Sequence, residues 1–289
     1  MYYVTFNDLV NDIRQNISKV PHDVDFIIGI ERSGMIVASI ISEYLNVPLV
    51  GLESFIKGCE PTGGDRLSLV NSKHTNKVLV IDDTCNSGKA MTDAKKKLEG
   101  YDYDFIYLVA YLEGIGSMFI DIYLRDLRQY TNHPPYIVLY EWNIMNHYSF
   151  YTQHFMFDMD GVLCLDPPDE NNTEEYDNYI KNAIPLFIPK VNIGKIVTYR
   201  LSKYAAITEN WLKEQGIRYE QLIMFQGDSV KERYYSGISP EYMKGTLYKN
   251  DPDSILFIES DDWQAMNIHQ ISGKPVLCIS TNRLYQKLT

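Results

Sequence analysis

Two acidic stretches carry the residues most able to do chemistry. In the first, Val78-Leu79-Val80-Ile81 runs into Asp82-Asp83-Thr84-Cys85-Asn86-Ser87-Gly88. The four apolar residues have the character of a buried strand in a parallel sheet, and the run Lys89 to Glu99 is helical in pattern. A sharp bend between such elements leaves the first N–H groups of the helix pointing outward. That makes a seat for a phosphate, with Thr84, Asn86 and Ser87 as added donors. Asp82 and Asp83 would repel the anion unless they meet hydroxyl groups or a metal. A ribose 5-phosphate brings hydroxyls and phosphate together, and suits the loop better than a nucleoside triphosphate. A P-loop is excluded, because Asp83 stands where a glycine must precede Gly88 by five positions and Ala90 stands where Ser or Thr must follow the lysine.

In the second stretch, His154 to Asp166, a hydrophobic strand delivers Asp158 to its carboxyl end, Asp160 follows two residues on, and Gly161 lets the backbone turn. Two carboxylates so spaced can share a divalent cation, one through its side chain and the other through its backbone carbonyl, leaving one carboxylate for proton transfer. An EF-hand is ruled out, since Val162 and Leu163 occupy the positions of the third acid and the glycine. A D-x-D motif holding the metal of a nucleotide sugar remains open. A third loop, Glu31-Arg32-Ser33-Gly34, offers backbone donors, a hydroxyl and a guanidinium, a set suited to a diphosphate.

These loops need sheets to hold them. Phe6 to Ser18 has the spacing of an amphipathic helix, with Leu9, Val10, Ile13 and Ile17 on one side. Asp25 to Ile30 reads as a buried strand followed by a helix from Met35 to Leu45, which repeats the strand, loop and helix of the first acidic stretch. Pro48 to Leu52, Asp104 to Leu112 and Tyr136 to Trp142 supply further strands, with a helical stretch near Met118 to Tyr130. Ser54 to Asn76 is a polar connection bearing Lys57, Arg66 and Lys73, and loops of this length are usually lids or binding loops. With 289 residues, 45% of them hydrophobic, the chain can bury two cores. The fold expected is α/β with two doubly wound sheets, residues 1–150 and 151–289. A net charge of −11 argues against nucleic-acid binding. The four dispersed cysteines indicate neither a disulfide framework nor zinc, and the histidines have no ligand spacing. No apolar window spans a membrane and the amino terminus lacks a signal-peptide pattern, so a cytoplasmic protein is expected. Trp142 suits either core packing or stacking on a base.

The first stretch, with four hydrophobics, two acids and Thr-x-x-Ser-Gly, resembles the phosphoribosyl diphosphate motif of the type I phosphoribosyltransferases, and the Arg32-Ser33-Gly34 loop resembles their pyrophosphate loop. The resemblance implies that 5-phosphoribosyl 1-diphosphate (PRPP) is held by Arg32, Ser33, Gly34, Asp82, Asp83, Thr84, Cys85, Asn86, Ser87 and Gly88. Thr84, Asn86, Ser87 and Gly88 would take the 5-phosphate, Asp82 and Asp83 the ribose hydroxyls, and Arg32 and Ser33 the diphosphate with magnesium, with Asp83 also catalytic. In that family a mobile loop placed like Ser54 to Asn76 closes over the diphosphate.

The second stretch resembles the first motif, D-x-D-G-V, of the haloacid dehalogenase-like (HAD) phosphatases. That resemblance implies a Rossmann-like domain whose small cap follows Leu165, with a helix near Glu175 to Ile184. Asp158 would be the nucleophile, Asp160 the acid and base, and Thr198 and Lys244 the phosphoryl-binding pair, with Lys249 and Lys231 as rivals for the lysine. Asp158, Asp160, Glu259 and Asp261 would hold Mg2+, although Glu259-Ser260-Asp261-Asp262 departs from the family's usual acid pair. The expectation is a bifunctional enzyme that transfers phosphoribosyl to a nitrogenous base and removes phosphate from the resulting or another riboside. The alternative is a HAD phosphatase regulated by a PRPP-sensing domain that does no transfer. Its partners would be small molecules, PRPP and a base or nucleotide-like phosphate, with neither membrane nor nucleic acid among them and a homodimer allowed.

Overall fold

The computed structural model describes residues 1–64, 74–131, 137–147, 149–168 and 173–287, and its chain falls into two units, Met1–Trp142 and Asn143–Thr289. Arg66 and Lys73 of the polar connection, and residues 169–172 of the expected cap, lie outside the described residues. Among the described residues, no helix is long and apolar enough to cross a membrane.

The first unit runs Tyr2–Val4 (β1), Phe6–Asn16 (α1), Phe26–Gly29 (β2), Gly34–Leu45 (α2), Leu49–Gly51 (β3), Leu52–Ile56 (α3), Lys77–Cys85 (β4), Lys89–Leu98 (α4), Asp104–Leu112 (β5), Ile122–Asp126 (β6), Arg128–Thr131 (α5) and Val138–Tyr140 (β7). Five strands form a parallel sheet in the order β3-β2-β4-β5-β6, and β1 pairs with β7 in a separate parallel ribbon. The chain leaves β2 outward to β3 and returns on the other side to β4. The crevice beyond the ends of β2 and β4 is therefore the switch point at which ligands bind in open α/β sheets. The central strands are the most apolar. All of β2 and residues 78–83 of β4 are buried, so each side chain there meets helices on one face or the other. α1 starts where it does because Thr5 and Asp8 form a capping box, Thr5 Oγ1 accepting from Asp8 N at 3.0 Å and Asp8 Oδ2 accepting from Thr5 N at 2.9 Å. Its Leu9 and Ile13, one turn apart, are fully buried, each contributing roughly 1.5–3 kcal/mol.

Three expectations need correcting. The helix sought near Met118 to Tyr130 is instead a 3-10 turn at Ile115–Phe119, the strand β6 and the four-residue α5. In β6 the polar Tyr123 and Arg125 alternate with Ile122 and Leu124, a period of two that decides for strand. Of the strand expected at Tyr136 to Trp142, Val138–Tyr140 does not join the main sheet but pairs with β1, a strand the sequence reading missed. Finally, β4 does not stop at Ile81. It continues through Cys85, with Asp82, Thr84 and Cys85 in register with Val109, Tyr111 and Leu112 of β5.

The second unit runs Ser149–Thr152 (α6), Phe155–Phe157 (β8), Thr173–Asn182 (α7), Asn192–Leu201 (β9), Ala205–Glu214 (α8), Arg218–Phe225 (β10), Val230–Tyr235 (α9), Pro240–Asn250 (α10), Leu256–Glu259 (β11), Asp262–Ser272 (α11), Val276–Cys278 (β12) and Arg283–Tyr285 (β13). Its sheet has the order β10-β9-β8-β11-β12-β13, parallel except for the β12–β13 pair. The first strand, β8, lies in the middle, with β9 and β10 laid outward on one side and β11 on the other. Asp158, which follows β8, therefore stands at this sheet's own switch point, beside the end of β11, with its N–H donating to Ile258 O at 2.9 Å.

Candidate active sites

In the first unit, pairing sets the site. Gly29 of β2 is in register with Ile81 of β4, and Ile30 N donates to Ile81 O at 2.8 Å, which brings the Glu31-Arg32-Ser33 loop beside Asp82. The approach is close enough to require glycine at 34. A Cβ there would lie 2.8 Å from Ile81 O and 2.9 Å from Asp82 Oδ1. The Glu31–Arg32 peptide is cis. Arg32 is exposed and Ser33 half-buried at the start of α2.

Asp82 and Asp83 are 8% and 6% exposed at the floor of this crevice. Burial first, and then the neighbouring Asp83 carboxylate, pushes Asp82 up to about 8. At neutral pH the pair therefore carries fewer than two charges, which lets a phosphate approach. Asp82 Oδ1 accepts from Asp83 N at 2.9 Å, and Asp83 Oδ2 accepts from Trp142 Nε1 at 2.8 Å. Because β4 is longer than expected, Thr84 and Cys85 belong to the strand ladder and the loop proper shrinks to Asn86-Ser87-Gly88. The Cys85 thiol is buried in the apolar core, which raises it and removes it from any ligand. Asn86 and Ser87 are exposed. Gly88 begins α4 at φ +80, where the Phe119 ring fills the place a Cβ would take. The Gly114–Phe119 turn backs the loop, Gly116 N donating to Asn86 O at 2.9 Å and Cys85 Sγ to Gly116 O at 3.5 Å.

In the second unit, Lys244 on α10 reaches the switch point. Its Nζ donates to Asp158 Oδ2 at 2.8 Å, Glu259 Oε2 at 2.8 Å and Gln264 Oε1 at 2.9 Å. Lys231 and Lys249 are exposed. Burial, followed by the charge of Glu259, pushes Asp158 well above the usual carboxylate range, against the pull of Lys244. Asp160 is held differently. Burial would raise it, yet the Arg200 guanidinium keeps it below its ordinary value, donating from Nε at 3.1 Å to both oxygens and from Nη2 to Oδ1. Tyr179 OH, from α7, adds a bond of 2.6 Å to the same oxygen. Thr198 on β9 is fully buried, its Oγ1 accepting from Arg200 N at 3.3 Å.

Arg200, Tyr179 and Gln264 were missed by sequence reasoning. Only the adjacency of Arg200 to Thr198 could have pointed to the first, and nothing local to the other two. The acids expected to hold magnesium do not converge. Glu259 Oε1 accepts from Ser260 N at 2.9 Å and from Asp261 N at 3.3 Å, and its other oxygen takes Lys244. Asp261 caps α11, accepting from Gln264 N at 2.7 Å, and the Asp160 carboxylate is occupied by Arg200. Among the described residues no group of three or more His, Cys, Asp or Glu is placed to hold a metal ion. Asp158, Asp160, Glu259 and Asp261 as arranged do not fit one, because ammonium, guanidinium and backbone N–H groups already meet their oxygens.

No curated protein matches the sequence. Among solved structures, the chain is similar to a purine phosphoribosyltransferase from Pyrococcus horikoshii, at 21% identity over 48% of this chain and 92% of that one, with a TM-score of 0.35. A xanthine-guanine-hypoxanthine phosphoribosyltransferase from Helicobacter pylori aligns at 16% identity over 50% and 93%, TM-score 0.36. An orotate phosphoribosyltransferase from Aeropyrum pernix aligns at 17% over 43% and 72%, TM-score 0.33. At such scores the assignment rests on the sequence match. The family model described as the phosphoribosyl transferase domain matches residues 5–128, fewer than half of the 289, and this segment contains the Arg32 loop, the Asp82-Asp83 pair and the five-stranded sheet that presents them. Residues 5–128 are a phosphoribosyltransferase domain.

Proposed function

We propose that the first unit transfers 5-phosphoribosyl from PRPP, supplied with magnesium, to a nitrogenous base or related acceptor, and that the second is a phosphomonoester hydrolase acting on the resulting or another phosphorylated riboside. The observation that carries the first part is the meeting of the Arg32-Ser33-Gly34 loop with Asp82-Asp83 at the switch point of a sheet that lies within the matched segment. Asn86, Ser87 and the N–H groups opening α4 receive the 5-phosphate, and Arg32 and Ser33 the diphosphate. Asp82, protonated at neutral pH, and Asp83 take the ribose hydroxyls as donor and acceptor. Positive charge grows at C1 as its bond to the diphosphate oxygen breaks. The carboxylate of Asp83 is the group suited to stabilise it, and binding geometry supplies the rest of the acceleration.

The second part is supported by Asp158 at the switch point of its own sheet with the buried Lys244 on one oxygen. The Asp158 carboxylate attacks phosphorus, the bond from phosphorus to the ester oxygen breaks and that oxygen leaves as an alcohol with a proton taken from water, and a second water then cleaves the aspartyl phosphate to inorganic phosphate and free Asp158. Lys244 fixes the nucleophile through Oδ2 and leaves Oδ1 to react. Asp160, kept ionised by Arg200, accepts the proton of that water, and Thr198 lies on the neighbouring strand to hold a phosphoryl oxygen. The two activities in sequence convert a base into its riboside, and removal of phosphate draws a reversible transfer forward.

The test is incubation of the full chain with PRPP, magnesium and a panel of bases, with diphosphate and inorganic phosphate followed by phosphorus NMR. Phosphate release that requires a base, and that in Asp158→Asn stops at a phosphorylated riboside, is the expected result. Phosphate release from PRPP alone, or diphosphate release unchanged by Asp83→Asn, sinks the proposal.

A further inference from the structure

The loop expected to take the diphosphate is held on both flanks. On the side of β4, Ile30 N donates to Ile81 O at 2.8 Å, and Gly34 lets the backbone lie against Asp82. The other flank is held by Glu31. Gly29 of β2 is in register with Gly51 of β3, so residue 31 emerges level with the turn from β3 into α3. There Glu31 Oε1 accepts from Glu53 N at 3.0 Å. The first N–H groups of α3 lack a cap of their own, because the N-cap residue is Gly51 and has no side chain. Gly51 also makes the approach possible, since a Cβ on it would collide with Glu31 Oε1. Its φ of −76 is open to any residue, so glycine is needed at 51 for the space and not for the turn. An exposed glutamate is otherwise free to spread over its rotamers in water, yet this one lies over a second strand and closes the start of a second helix. Arg32, next to it, is exposed and has no hydrogen-bond or ion-pair partner among the described residues.

We propose that Glu31 is a positioning residue for the transfer. By capping α3 across Gly51 it fixes the loop that presents Arg32 and Ser33, and so sets affinity for the diphosphate half of PRPP and not for its 5-phosphate half. This rests on the transferase reading of the first unit. A guanidinium that grips a diphosphate through paired N–H bonds has to be aimed, and Arg32 has nothing but its own backbone to aim it. The backbone on one side of it is set by Gly34 and on the other by Glu31, so loss of the Glu31 contact frees one flank of the loop. Misplacement of this kind is felt strongly where an enzyme works mainly by positioning. The 5-phosphate seat is built from other elements, Asn86, Ser87 and the start of α4, backed by Gly116 N on Asn86 O at 2.9 Å. Among the described residues Glu31 bonds to none of them. The neighbouring pair of Lys97 with Glu53 is exposed on both sides, and an ion pair so placed contributes little.

The experiment titrates the full chain by calorimetry with PRPP and magnesium, with inorganic diphosphate and with ribose 5-phosphate. Glu31→Ala and Gly51→Ala, the second of which displaces the carboxylate without altering it, are each expected to weaken PRPP and diphosphate by about two- to thirtyfold, the equivalent of a lost helix cap. Ribose 5-phosphate should stay within about twofold in both, as for a site independent of the change. Glu31→Gln keeps an oxygen that accepts from Glu53 N and should restore most of the affinity, whereas Glu31→Asp, one methylene shorter, should not. Lys97→Ala should leave all three ligands as they are. The double variant Glu31→Ala with Gly51→Ala should be no worse than the weaker single one, because both break one contact. Unchanged PRPP affinity in Glu31→Ala, a loss of ribose 5-phosphate as large as that of diphosphate, losses from the two single variants that add, or diphosphate that fails to compete with bound PRPP would overturn the positioning role alone. Failure of the wild-type chain to bind PRPP or ribose 5-phosphate would overturn the transferase reading and this inference with it.

Discussion

Lys244 provides the sharpest test of how the second unit is held together. Its ammonium, 2% exposed, lies 2.8 Å from oxygens of both Asp158 and Glu259, whose side chains are 7% and 0% exposed. Replacing it with methionine keeps the volume and removes the only charge that the geometry places between these acids among the described residues. Breaking a buried pair in this way costs about 3–5 kcal/mol, because an uncompensated charge is left behind rather than because the bond itself was strong. Urea unfolding of Lys244→Met should therefore lose stability by that amount, at about 1–3 kcal/mol per molar urea, with Trp211 as the reporter. Trp211 suits the purpose because it is 3% exposed in this unit, with its N–H on Ala183 O at 2.8 Å. Adding Glu259→Gln should return part of the loss, since the second substitution removes one of the stranded charges, and neighbouring sites couple by about 0.5–3 kcal/mol. A single variant costing less than about 1 kcal/mol, or losses from the two variants that simply add, would refute the picture of a lysine clamped by two acids.

The first unit offers three further tests. Asp82→Asn should flatten the pH dependence of stability. The folded chain keeps a proton on Asp82 up to about 8 while the unfolded chain releases it near 3.8, so folding takes up a proton and stability declines as pH rises between those values. The variant should gain little at pH 4 and on the order of 5 kcal/mol at most by pH 8, read from denaturant midpoints across that range; a wild-type profile that rises through it contradicts the assignment. Gly88→Ala forces φ +80 on a side chain and drives its Cβ into Phe119, and should cost about 1–3 kcal/mol and weaken PRPP binding by calorimetry. Thr5→Ala removes the cap of α1 and should cost about 0.5–2 kcal/mol in thermal unfolding, with Ser in its place restoring most of it.

The motif residues were legible because each sits where an apolar run ends, and a buried strand of a parallel sheet must end at the ligand edge. The Arg32 loop, the Asp82-Asp83 pair and Asp158 were found on that ground. What failed was the reading of short segments whose state depends on partners distant in sequence. β1 is three residues long and exists because β7 pairs with it. The apolar positions of β6 alone fit a helical period as well as a strand period over so few residues, although its side chains alternate. The length of β4 also lay beyond local pattern, since acids are poor strand formers and Asp82, Asp83 and Thr84 are kept extended by the ladder to β5. Of the residues expected to bind PRPP, Gly34 lies against Asp82, Thr84 belongs to the strand ladder, and the Cys85 side chain is buried in the apolar core. In the second unit, Asp158, Glu259 and Lys244 meet and Asp160 lies apart with Arg200, a division that follows from Arg200 being 1% exposed and in need of an anion.

Each unit thus carries two closely spaced aspartates at the end of, or just after, a central strand of a parallel sheet, and one acid of each pair is relieved by the opposite means. Asp82 retains a proton, whereas Asp160 is held below its ordinary value by the Arg200 guanidinium. The distinction has a consequence of sign. Neutralising an acid that the fold already prefers neutral costs nothing in lost partners, so Asp82→Asn should stabilise the chain above neutral pH. Neutralising one that a buried guanidinium depends on strands that cation, so Asp160→Asn should destabilise it, by up to about 3–5 kcal/mol less whatever the amide oxygen still accepts from Arg200. Both variants are measured by the same urea titration at pH 8. Shifts of the same sign would mean that the charge state of the two pairs is not set by proton and cation as described, and with it would go the reason that the first pair tolerates a phosphate while the second holds a carboxylate ready to accept a proton.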